Sequence, residues 1–62
     1  MDEAFIKLLM AHHSMLHSFV YAQLLDVHLT DDVLQEAALV LWSKFPTYQQ
    51  GSDFGAWARS IA

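Results

Sequence analysis

The sequence predicts an all-α fold, a small bundle of a long helix 1, a helix 2 and a short helix 3, and three observations carry that prediction. Residues 2–25 contain neither glycine nor proline and place large apolar side chains at helical intervals. Thr30 followed by Asp31 and Asp32 is a helix-start signal, answered at the other end by Lys44 and Pro46. After a turn-rich stretch, Phe54, Trp57, Ala58 and Ile61 return at i, i+3, i+4 and i+7.

Helix 1 is expected from Asp2 to about Leu25. Its stripe of Phe5, Leu9, His12, Leu16 and Phe19 advances in alternating steps of four and three, and Asp2 and Glu3 favour the positive end of the helix dipole. Ile6, Leu8, Met15, Val20 and Leu24 widen the stripe, so this segment should pack against two neighbours. Asp26 to Leu29 reads as a short link. Helix 2 should then span about 31–45, with the Thr30 hydroxyl capping its free amides and Pro46 excluding the helical conformation from the residue before it. Leu34, Ala37, Ala38, Leu41 and Phe45 form its core face, where the alanines let two backbones approach closely.

The stretch 46–52, PTYQQGS, is a loop in which Tyr48 is the one large side chain. Ser52 or Asp53 caps helix 3. The apolar pattern reaches Ala62 without a stop signal, so residues 1–62 are expected to be a single domain truncated inside a longer helix.

Composition narrows the function. Sixty-two residues with 55% apolar content bury only about 60% of the unfolded chain's surface. Net stability at this size is roughly 3 to 5 kcal/mol, and with no cysteine there is neither a disulfide nor a thiolate metal site. The net charge of −4, with Lys7, Lys44 and Arg59 as the fixed cations, gives no patch for neutralising several phosphates. Apolar runs are too short to span a bilayer, and the Met-Asp-Glu start lacks the positive n-region of a signal peptide, so the chain is read as cytoplasmic with no membrane partner.

Helix 2 has a second face. Asp32, Gln35, Glu36, Leu39 and Trp42 or Ser43 share it, combining acids, an amide and apolar anchors. A face that only meets water has no use for Leu39 and Trp42, whereas acids around apolar anchors suit a docking surface for a basic partner. Trp42 fits either this face or the core.

The run DDVLQEAALVLWSKF, followed after the loop by GSDFGAWARSIA, resembles region 2 of bacterial RNA polymerase sigma factors, in its extracytoplasmic-function form. The matching residues are Asp32, Val33, Leu34, Gln35, Glu36, Leu41, Trp42, Gly51, Phe54, Ala56, Trp57, Ile61 and Ala62. The first helix is similar to region 2.1, the second to region 2.2 and the third to the start of region 2.3. The resemblance implies docking on the clamp helices, a coiled coil in the largest polymerase subunit, through Asp32, Gln35 and Glu36, with Leu39 and Trp42 adjoining. It also implies promoter −10 recognition by a part that would follow Ala62, so promoter DNA is a partner of a full-length protein only. An anti-sigma factor is a further partner that the resemblance brings. Gly55 stands where a basic residue is usual between Phe and Ala, and helix 2 lacks the basic residue common before Leu-Trp; both departures remove charge that nucleic acid would use.

Other signals are weaker. His13 and His17, at i and i+4, supply only two metal ligands, and His12 fits the apolar stripe, so no metal and no cofactor are expected. Cysteine nucleophiles, phosphate loops and serine–base–acid sets are missing, which leaves a non-enzyme. Phe54 and Trp57 read as core and not as base-stacking platforms. The competing function is a helical self-association module unrelated to transcription, and an apolar patch left open by truncation would favour a homodimer.

Overall fold

The computed structural model describes residues 2–61, which form α1 (Glu3–Ala11), α2 (His13–Leu24), α3 (Val27–Lys44), a 3-10 turn (Phe45–Thr47) and α4 (Phe54–Ile61). Met1 and Ala62, the latter one of the residues that carry the resemblance, lie outside the described residues. The all-α bundle is as expected, but its first helix is divided in two.

Asp2 caps α1, its Oδ1 accepting the Ala4 amide at 2.8 Å. The helix then stops at His12, whose backbone sits at φ −106°, ψ 4°. The His12 Nδ1–H donates to the Leu8 carbonyl at 2.8 Å, and the His12 carbonyl accepts the Leu16 amide at 3.0 Å, so α2 restarts at once. The ring is held from the other side by Phe54, 5.2 Å away between centroids. This is a tertiary contact, and residue spacing within one helix does not reveal it. The expected stripe survives in Phe5, Leu16 and the half-buried Leu9 and His12; Phe19 is 38% exposed, and Val20 takes the buried position beside it. The widened stripe does meet two neighbours, since α2 packs on both α3 and α4.

The α2–α3 connection corrects a second expectation. Asp26, not Thr30, is the cap: its Oδ1 accepts the Leu29 amide at 2.9 Å, and the helix begins at Val27. Aspartate is the stronger cap, and nothing in Val27, His28 or Leu29 resists helix. Thr30 is fully buried instead, its hydroxyl donating to the Asp26 carbonyl at 2.7 Å. Asp31 and Asp32 thus lie a turn further into the helix than expected.

Leu25, the residue that ends α2, lies in the left-handed region at φ 53°, ψ 33°, and is 73% exposed. For a non-glycine residue that conformation costs about 1–2 kcal/mol, against about 0.5–1 kcal/mol for the extra freedom glycine loses on folding. Leu25→Gly is therefore expected to raise stability by about 0.5 to 1 kcal/mol, read as a higher urea midpoint at unchanged slope.

At the other end, α3 runs to Lys44 and passes into the 3-10 turn, where Pro46 occupies the first turn and needs no amide partner. Tyr48, the one large side chain of the 46–52 stretch, is core: it is 7% exposed, stacks on Phe45 at 5.7 Å, and meets Phe54 at 5.5 Å and Trp57 at 5.0 Å. Its phenol donates to the Ser52 carbonyl, pinning the loop that Gly51 turns at φ +88°. Asp53 Oδ1 accepts the Ala56 amide at 3.1 Å and starts α4 as anticipated. Phe54 and Ala58 are buried and Trp57 and Ile61 half-buried, the face that the i, i+3, i+4, i+7 spacing defines.

Phe5 is the centre of the core. Fully buried, it lies 5.1 Å from Phe45, 5.2 Å from Trp42 and 6.4 Å from Phe54, so one side chain from α1 touches α3, its C-terminal turn and α4. Leu41 and Phe45 of the expected α3 face are buried, with Leu34, Ala37 and Ala38 half-buried beside them.

Candidate partner-docking site

With one side of α3 committed to Leu41, Phe45 and the neighbours of Leu34, the opposite side must face water. Asp32, Gln35, Glu36 and Leu39 all lie there exposed, with Ser43 continuing the row. Leu39 shows 63% of its surface, although it sits in the middle of a well-packed helix. Val33 and Val40 add exposed apolar surface at 38% and 41%. Neither position was singled out from the sequence as a contact, because a valine on a helix reads first as core.

Trp42 straddles the boundary. It is half-buried, with its ring on Phe5 and tilted by 21° to that of Phe45 at 6.4 Å. Its remaining surface lines a cleft of about 550 Å³ with Asp2, Ser43, Pro46, Tyr48 and Gln50. The two readings of Trp42 are thus combined: the same indole packs the core and borders open surface.

The charges of this face are unspent among the described residues. Among the described residues, Lys7 pairs with Glu3 at 3.2 Å and the His17 imidazole Nε2 lies 3.8 Å from Asp31 Oδ1, and neither contact involves Asp32 or Glu36. Carboxylates on an exposed helix face next to an exposed leucine offer charge-assisted hydrogen bonds around an apolar contact, which is how a rim and an anchor divide the work in protein association.

A second cavity, of about 330 Å³, runs along the same helix where it meets the α1–α2 arm. Leu9, Leu16, Leu34 and Ala38 line it, with His13, Asp31 and Gln35 as its polar members. Sequence reasoning named Gln35 but not Asp31 or His13 in this setting. Only the register of α2 against α3 brings them together, and no local spacing encodes it. The His13–His17 pair does not grow into a metal site: among the described residues no group of three or more histidine, cysteine or carboxylate side chains is placed to hold an ion. Among the described residues no helix is long and apolar enough to cross a membrane.

α3 is a long capped helix that presents an acid-amide-acid row on its open side and packs its other side on an aromatic core. The family model described as Sigma-70 region 2 matches residues 3–62, and the chain belongs to that family. It is thereby a sigma-factor transcription initiation module that binds RNA polymerase, from a family of transcription factor domains and not of enzymes. No curated protein and no solved structure matches the chain significantly.

Proposed function

We propose that α3 docks on the clamp helices of the largest RNA polymerase subunit, with Asp32, Gln35 and Glu36 making the polar contacts and Leu39 and the open edge of Trp42 the apolar ones. The observation that carries this reading is the row itself: three polar side chains, exposed and free of intramolecular ion pairs among the described residues, beside a leucine that is 63% exposed. The family supplies the partner, and the acidic face supplies the sign of charge that partner should carry. Promoter DNA is not assigned to this surface: Lys7 is engaged with Glu3, and two other fixed cations do not make a phosphate track. The cytoplasm, where polymerase works, is the corresponding location.

Binding of the isolated clamp coiled coil, measured for wild type, Gln35→Ala and Glu36→Lys, tests the assignment. Reversing a charge at such a contact costs at least about 1.4 kcal/mol, a tenfold loss, and Gln35→Ala should lose several-fold. Equal affinities for all three would remove α3 from the interface. An exposed leucine next to exposed valines is also what self-association would use. Sedimentation separates the two: a monomer that binds the coiled coil supports docking, whereas an oligomer dispersed by Leu39→Ser, with no affinity for the coiled coil, supports the other.

A further inference from the structure

Gln35 belongs to two surfaces, the outward row on α3 and the lip of the groove between α3 and the α1–α2 arm. That groove has an apolar floor, Leu9, Leu16, Leu34 and Ala38, and a polar rim of His13, Asp31 and Gln35. None of its lining residues is lysine or arginine. Asp31 Oδ1 lies 3.8 Å from His17 Nε2, too long for a hydrogen bond, so the carboxylate keeps its acceptor capacity. Its volume of about 330 Å³ is at the low end of ligand clefts, which suits one long side chain better than a whole small molecule.

We propose that this groove receives a single lysine or arginine side chain from the partner helix that docks on α3. The claim rests on the docking reading above and extends it from the row to a specific pocket. An aliphatic stem would lie on the four apolar side chains while its charged head reaches Asp31 and the Gln35 amide oxygen at the rim. Other side chains fit worse. A purely apolar one would fill the floor and leave the Asp31 carboxylate desolvated without a partner, and an acidic one would meet Asp31 with Asp32 and Glu36 close by on the same helix. His17, on the opposite wall, is the internal competitor for the same carboxylate.

The competition gives the test. With the clamp coiled coil as probe, Asp31→Asn removes the charge that receives the head, and His17→Arg supplies an internal cation able to occupy Asp31 from the facing helix. Both side chains are at least one-third exposed, so both variants should keep the wild-type urea midpoint. Each is expected to bind about tenfold more weakly than wild type, and the affinity of Asp31→Asn should fall less steeply with added salt. Glu36→Lys, off the groove, reports on the docking row separately. If Glu36→Lys loses binding while Asp31→Asn keeps wild-type affinity, the pocket is wrong and the docking face stands. If the wild type does not bind the coiled coil, the docking face is wrong and the pocket falls with it.

Discussion

Phe5→Ala is expected to abolish the cooperative unfolding transition altogether. Removing a buried phenylalanine costs about 3–5 kcal/mol, and a domain of this size has roughly 3 to 5 kcal/mol in total. Phe5 is the worst position at which to lose a ring. It is fully buried, and the three rings it meets, on Trp42, Phe45 and Phe54, come from α3, its C-terminal turn and α4. The cavity left behind would lie between three helices at once and could close only by moving all of them. Ile6→Ala, one residue on and 38% exposed, is the matched control and should remain cooperative, within about 1 kcal/mol of wild type. Urea titration followed by far-ultraviolet circular dichroism reads both; a wild-type midpoint for Phe5→Ala would show that the aromatic cluster does not hold α1.

The same cluster shows which parts of the fold are legible in the chain. Phe54, Trp57, Ala58 and Ile61 announce the inner face of α4, and Asp53 its cap, because both signals are local to one helix. Lys44 and Pro46 mark the end of α3 for the same reason. The misplaced starts and stops depend on competition or distance. Thr30 and Asp26 are both capping residues four positions apart, and the stronger one wins, which turns Thr30 into a buried donor to the Asp26 carbonyl. His12 reads as an ordinary helical residue, and its packing on Phe54, forty-two positions later, is a contact that local spacing does not contain.

The docking row divides in the same way. Asp32, Gln35, Glu36 and Leu39 are outward because the periodicity of α3 allows nothing else once Leu41 and Phe45 are inside. The groove beside them joins Leu9 and His13 to Asp31, Leu34 and Ala38, and depends on how α2 is seated on α3. The chain reaches that seating through the break at His12 and the left-handed turn at Leu25, neither of which a helical wheel contains.

Gly55→Arg, which would restore the basic residue usual at this place in sequences resembling region 2, is expected to destabilise this chain by about 2 to 3 kcal/mol. Gly55 is buried where α4 crosses the junction of α1 and α2, and a Cβ there would come within 2.9 Å of Met15 Cε and 3.2 Å of His12 Cδ2. The two neighbours differ in what they can yield. Met15 ends in a flexible methyl, whereas the His12 ring is tied to the Leu8 carbonyl and backed by Phe54. Even a single methyl is tight: Gly55→Ala gains less than about 1 kcal/mol of helix propensity so close to the helix start, but it must displace the Met15 methyl and press on the fixed His12 ring, and should destabilise by about 1 kcal/mol. An arginine adds far more. Its stem would overpack the crossing, and its guanidinium would emerge beside Arg59, whose Nη1 already lies 4.0 Å from Met15 Sδ. The close crossing of α4 thus depends on the bend at His12 and on the missing side chain at Gly55 together. Shortening the neighbour tests the coupling. Met15→Ala alone should destabilise, but in the Gly55→Arg background it should recover about 1 kcal/mol relative to additivity, measured as urea midpoints of the four proteins in the cycle. Strict additivity would mean that the two positions do not compete for the same space.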